Sequence, residues 1–254
     1  KNGRVTVQKY QLCKGEIGYN PTEKLCYHCT MNILVLVCST NKQSNSEFLA
    51  DMFLKGAEDA CACNVQKLRL IEFELPQFTV DCYTDNCVFP KQYSQLKNMI
   101  EEADGVLIAT PIWNFGVPAH LKNFIDWMGC FGLDPETRTK GTLEGKPFYF
   151  IFTGGAPKAV WKGLMRFTTM FVREGIRYYG GTVAGLYYEG RCTPGRGQFG
   201  LVVDKREESM KAVRNRGKWF AAFTDGYKKS HRLPLRHRLF ERVYKAGQRV
   251  AAKI

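Results

Sequence analysis

The feature that most constrains this chain is a series of short, uninterrupted apolar runs, each followed by a loop and then by apolar residues at helical spacing. Residues 33–37 read Ile-Leu-Val-Leu-Val, residues 105–109 Gly-Val-Leu-Ile-Ala, and residues 148–152 Phe-Tyr-Phe-Ile-Phe. A strand that is apolar at every position is buried on both faces, as in a parallel sheet covered by helices. Residues 65–71 and 183–188 read as two further strands. Residues 47–60, 93–102, 119–128, 162–175 and 204–227 read as helices. Strands that alternate with helices pair in parallel through right-handed crossovers. The expected fold is therefore α/β, a doubly wound five-stranded parallel sheet with helices on both faces. Ligands of such sheets sit outside the carboxyl ends of the strands, at the point where strand order reverses. The loops after the first, third and fourth strands are the places to look.

The first of these loops, residues 38–46, is Cys-Ser-Thr-Asn-Lys-Gln-Ser-Asn-Ser. It has no glycine, so it is neither a Walker loop nor a dinucleotide fingerprint. It is rich in hydroxyl and amide groups and runs into a helix, whose free N–H groups and dipole favour an anion. Plain N-capping by Ser44 or Ser46 would also account for it. The second loop holds Pro111, Ile112, Trp113, Asn114 and Phe115, then Gly116 and Pro118. Two prolines and a glycine make a rigid turn, and its aromatic residues either wall a flat ligand or plug the end of the sheet. The third loop begins Thr153-Gly154-Gly155, where glycine lets backbone approach a ligand closely.

These loops resemble the NAD(P)H-dependent FMN reductase and quinone (azo) reductase group of the flavodoxin-like superfamily, over roughly residues 31–190. The specific match is residues 110–126, which is similar to that group's Pro-x-Trp-Asn-Phe-x-x-Pro-x-x-Leu-Lys-x-x-Ile-Asp segment. Ser39, Ser44, Asn45 and Ser46 fall on its phosphate loop, with Cys38 and Thr40 where the group has glycine and proline. The resemblance implies strand order 2-1-3-4-5 and FMN as cofactor. It places Ser39, Ser44, Asn45 and Ser46 at the phosphate, and Pro111, Ile112, Trp113, Asn114 and Phe115 along the isoalloxazine. Thr153, Gly154 and Gly155 form the third flavin loop, with backbone N–H groups facing the ring edge. It further implies an oxidoreductase that takes hydride from NADPH or NADH onto FMN and passes it to a small-molecule acceptor: a quinone, an azo or nitro compound, or a flavin. The cofactor carries the chemistry, so no catalytic side chain is assigned. By the same resemblance Leu121, Lys122, Phe124, Ile125 and Asp126 belong to a helix that often packs in a dimer, and a homodimer or homotetramer is expected. Two other functions fit the fold. One is a flavodoxin-type electron carrier, which the basic charge disfavours. The other is a non-catalytic module that binds nucleic acid or membrane.

The chain divides into a cysteine-bearing N-terminal extension (residues 1–30), the flavodoxin-like domain (31–227) and a basic C-terminal tail (228–254). Cys26 and Cys29 form a Cys-x-x-Cys with His28 between them and Cys13 upstream. A structural zinc site needs four ligands and no second such pair exists, so no metal is assigned. Cys82 and Cys87 occupy a loop where iron–sulfur flavoproteins carry a cysteine cluster, but supply too few ligands. Lys and Arg exceed Asp and Glu by 37 to 24, a net charge of +13, which favours anionic partners. Much of the excess lies in the tail, where Leu239, Val243, Ala246, Val250 and Ile254 share one helical face. That pattern packs on its own domain or a partner subunit; an anionic membrane or nucleic acid is possible but not favoured. With no leader pattern in residues 1–30 and no apolar run of about 20 residues, the expected location is the cytoplasm.

Overall fold

The computed structural model describes residues 8–11, 31–84, 87–163, 165–195, 198 and 200–251, without side-chain detail at 8–11 and 248–251. Cys13, Cys26, Cys29 and Ile254 lie outside the described residues. Among the described residues six strands form one sheet: β1 (Gln8–Gln11), β2 (Met31–Val37), β3 (Cys63–Arg69), β4 (Gly105–Pro111), β5 (Pro147–Thr153) and β6 (Thr182–Glu189). Their spatial order is β1-β3-β2-β4-β5-β6. The five strands from β2 onward are all parallel, and numbered among themselves they run 2-1-3-4-5, the expected doubly wound order. One strand was not expected. Residues 8–11, read as part of an extension, pair antiparallel with β3 and cap that edge of the sheet.

The described residues also form seven α-helices: α1 (Asn45–Ala60), α2 (Lys91–Glu102), α3 (Ala119–Gly132), α4 (Lys158–Lys162), α5 (Met170–Tyr178), α6 (Glu207–Ser230) and α7 (Leu235–Ala251). The reading of 162–175 as one helix is corrected. The chain ends α4 at Gly163 and makes a short 3-10 turn, Met165–Thr169, before α5. The apolar runs behave as strands buried on both faces. Ile33, Val35 and Val37 pack with Leu49, Phe53, Val213 and Phe220 of α1 and α6. Leu34 and Leu36 pack on the other face with Leu96, Ile100, Phe124, Val172 and Ile176 of α2, α3 and α5.

The chain leaves β2 for β3 on one side and returns to β4 on the other. The loops at the carboxyl ends of β2 and β4 therefore diverge and open a crevice. At the far side, α6 extends three residues past the expected end of the domain at 227, and α7 follows after His231, which sits in the left-handed region at φ 49. The tail is helical as expected, but its apolar stripe is not buried: Leu239 is 52% and Val243 74% exposed. Polar contacts hold α7 instead. Thr182 Oγ1 donates to Glu241 Oε1 at 2.6 Å, and the Arg177 guanidinium lies over the Phe240 ring at 4.8 Å. Among the described residues no helix is long and apolar enough to cross a membrane, and no group of three or more His, Cys, Asp or Glu is placed to hold a metal ion.

Candidate cofactor site

The three loops singled out in the sequence meet in one cleft of about 490 Å³ at the carboxyl ends of β2, β4 and β5. Ser39, Ser44, Asn45, Ser46, Pro111, Ile112, Trp113, Asn114, Thr153, Gly154 and Gly155 all line it. Phe115 does not, and is 68% exposed. Asn41 and Gln43 of the first loop also line the cleft, as do Cys192, Thr193 and Gly200 from the segment after β6. The sequence points to the loop after this strand as shaping the pocket above the ligand but singles out none of its residues.

The loop after β2 is shaped by side chains. Ser44 caps α1, its Oγ accepting from Glu47 N at 3.1 Å. Ser39 is buried and its Oγ accepts from Asn41 N at 3.2 Å. Each hydroxyl thus stabilises the turn, while the N–H groups of Asn45 and Ser46 in the first turn of α1 have no partner among the described residues, as is usual at a helix start. Arg69, at the end of β3, holds two of the loop's carbonyls. Its Nη2 donates to Ser39 O at 3.1 Å and Asn41 O at 3.0 Å, and its Nη1 pairs with Glu47 at 3.1 Å. On the other flank, His120 Nε2 lies 3.0 Å from Cys38 O and ties α3 to the same loop. Burial holds the His120 pKa below its ordinary value, although this hydrogen bond works in the opposite direction.

Asn45 is placed differently from expectation. Its side-chain amide clamps the segment after β6: Oδ1 accepts from Val202 N at 2.9 Å and Val203 N at 3.2 Å, and Nδ2 donates to Gly200 O at 2.9 Å. Only its backbone is left for an anion. The same segment is held from below by Glu189 and Arg206. Buried Glu189 pairs with Arg206 at 2.8 Å and Lys158 at 3.2 Å and accepts from Tyr187 Oη at 2.6 Å. Arg206 also donates to Gly190 O at 2.8 Å and Arg191 O at 2.7 Å. Burial pushes the Glu189 carboxyl pKa up, but hydrogen bonds from Tyr187, Arg206 and Lys158 outweigh it and leave it lowered. Cys192, where this segment lines the cleft, has its thiol pushed up to about 11 by burial, so it remains protonated at neutral pH.

The loop after β4 is shaped by its backbone. Trp113 and Gly116 exchange hydrogen bonds of 2.9 and 2.8 Å around a two-residue turn, with Asn114 at φ 48 and Phe115 at φ 66. A turn with both central residues at positive φ suits asparagine at the first of them, but not a bulky residue at the second. It brings Trp113 and Asn114 into the cleft and leaves Phe115 at the tip. In the third loop, Gly154 N donates to Glu189 O at 3.0 Å, so that N–H is not free to face a ligand. A side chain there would meet the Tyr188 hydroxyl at 3.0 Å. Thr153 Oγ1 and Gly155 N have no protein partner among the described residues and remain as donors. The donor set fits a flat, phosphorylated ligand. Neutral N–H and hydroxyl groups gather at a helix start at one end, and Trp113, Ile112 and glycine backbone form a wall at the other. The volume falls within the range of about 300–1,000 Å³ usual for such sites.

An open parallel sheet with a cleft of this kind defines a nucleotide-cofactor protein of the flavodoxin-like class. Residues 31–172 match the NADPH-dependent FMN reductase family. That is more than half of the chain, and the chain belongs to this family. Members of this family are described as NADPH-dependent FMN reductases. Over 210 residues the chain is 25% identical to FMN-dependent NADH:quinone oxidoreductase 1 of Bradyrhizobium diazoefficiens, covering 74% of this chain and 99% of the relative. It is 31% identical over 99 residues to NADH-dependent flavin reductase subunit 2 of Lactobacillus johnsonii, covering 39% of this chain; that match spans about half, 49%, of the relative's length. In fold it is similar to the NAD(P)H:quinone oxidoreductase from Methanothermobacter marburgensis, with a TM-score of 0.59 and 18% identity over 75% of this chain and 96% of that one.

Proposed function

We propose that this protein is a cytoplasmic FMN-dependent NAD(P)H oxidoreductase that reduces a quinone, an azo or nitro compound, or a flavin. The observation that carries the reading is the convergence of the loops after β2, β4 and β5 on one cleft, with a helix start at one end and Trp113 at the other. When bound, FMN supplies a ring that accepts and donates hydride.

The chain's own residues do the rest by binding and positioning. The first-turn N–H groups of α1 and the hydroxyl of Ser46 take the phosphate, and the helix dipole favours its charge. Arg69 keeps the carbonyls of Ser39 and Asn41 off that anion. Trp113, Ile112 and Pro111 exclude water from one side of the ring, and Asn114, Thr153 and Gly155 offer donors to its polar edge. Donors fixed before the reaction stabilise developing negative charge without reorganising. Phe115, at the tip of the turn, is assigned to the rim where nicotinamide and acceptor enter in turn. Exposed Val160, Phe167 and Met170 support assembly with a second copy as a homodimer or homotetramer.

The test is an absorbance scan of the purified protein with FMN, followed by NADH and NADPH oxidation with a simple benzoquinone as acceptor. The reading requires a flavin spectrum and quinone-dependent oxidation. A protein that stays colourless in excess FMN overturns it.

A further inference from the structure

A second cavity, of about 1270 Å³, lies away from the cofactor cleft, and nothing proposed above uses it. Its floor is the outer edge of β6, residues 182–186, where no strand pairs among the described residues. Its walls come from α5, α6 and α7, with Thr182–Glu241 as a tie across it. An unpaired strand edge presents alternating N–H and C=O groups and is a template for another extended chain. The cavity is larger than the about 300–1,000 Å³ of small-molecule sites. Five residues of strand run about 16 Å, enough to seat a short extended segment.

The charge around this edge is one-sided. Among the described residues Glu241 is the only carboxylate lining the cavity, and it is engaged by Thr182 and, at 3.9 Å, by Lys245. Facing it are Arg173, Arg216 and Arg236, none with a carboxylate at ion-pair distance among the described residues. The Nε of Arg173 is buried without a hydrogen-bond partner. Between the cations stand the half-exposed rings of Trp219 and Phe240.

We propose that this groove is a peptide-binding site that takes an extended acidic segment of a partner protein as an added strand on β6, its carboxylates meeting Arg173, Arg216 and Arg236. Single-stranded nucleic acid would also find cations and rings here, but it would leave the strand edge unpaired; the edge decides for peptide. This inference is independent of the flavin assignment.

The test is fluorescence anisotropy on the full chain with a short labelled peptide alternating Glu and Val. Controls are the same peptide N-methylated at alternate residues, its Lys-for-Glu counterpart, and a labelled single-stranded oligonucleotide. Saturable binding of the acidic peptide is expected, weakened at least about ten-fold by N-methylation, by charge reversal and by the Arg216→Glu/Arg236→Glu double variant. Both substituted residues are exposed, and the variant keeps its NADPH oxidation. No binding overturns the proposal, as does an N-methylated peptide that binds equally well or an oligonucleotide that binds more tightly. The N-methylated arm uses wild-type protein, so the result stands even if the variant fails to fold.

Discussion

The two ends of the cofactor cleft are held by different means. The proposed phosphate end, residues 39–46, takes its shape from side-chain contacts to segments distant in sequence: Arg69 holds two of its carbonyls and Asn45 locks it to residues 200–203. The ring end, residues 113–116, takes its shape from its own backbone, a tight turn with Asn114 and Phe115 both at positive φ. The difference predicts opposite responses to mutation. Side-chain truncation at the first end removes support that nothing nearby replaces. Relief of strain at the second stabilises the fold.

The largest effect is expected from Asn45→Ala. It leaves the N–H groups of Val202 and Val203 and the carbonyl of Gly200 without their partner, at about 2–3 kcal/mol. Urea unfolding measures that loss, and FMN titration should show affinity falling by more than about ten-fold as residues 200–203 loosen.

Glu189→Gln comes next. A lost buried pair costs about 3–5 kcal/mol, but Lys158 and Arg206 are 50% and 31% exposed, so solvent screening reduces this to about 1–2 kcal/mol. The effect has a pH signature. A carboxyl whose folded pKa lies below its ordinary 4.5 adds stability that is complete above 4.5 and is lost as pH falls through the folded value. The stability gap between wild type and variant should therefore be constant at neutral pH and narrow below about 4.5; a gap that widens there contradicts the assignment.

Arg69→Ala should weaken FMN binding by about ten-fold, or about 1.4 kcal/mol, with less effect on unfolding because the site is part exposed. Arg69→Lys should not restore binding, since an ammonium cannot fork to two carbonyls and Glu47 together. Phe115→Gly is the smallest and has the opposite sign. Removing a bulky residue from the left-handed region should stabilise the fold by about 1 kcal/mol with FMN affinity unchanged, measurable as a rise in Tm.

This contrast also explains what could be read from the sequence. The parallel sheet was legible because Ile33–Val37-type runs carry their burial on their face, and the loops at the switch point follow from topology. The ring-side turn was partly legible because Pro111, Asn114 and Gly116 are local signals. The supports of the phosphate loop were not. Nothing in the sequence around Arg69 or Glu189 indicates that they reach carbonyls or cations in distant segments, and Asn45 looked like a ligand because its neighbours are serines. The strand at residues 8–11 escaped for a similar reason: its four residues, Gln-Lys-Tyr-Gln, carry no apolar alternation, and only the free edge of β3 gives them a place.

The proposed flavin site draws on three loops, and its phosphate end depends on Arg69. Equilibrium titration of FMN into wild type and Arg69→Ala, followed by quenching of flavin fluorescence and compared with riboflavin, tests it most directly. The account predicts one FMN per chain, weaker binding in the variant, and a variant defect that disappears with riboflavin, which has no phosphate. Equal loss for FMN and riboflavin, or no saturable binding to wild type, would contradict it.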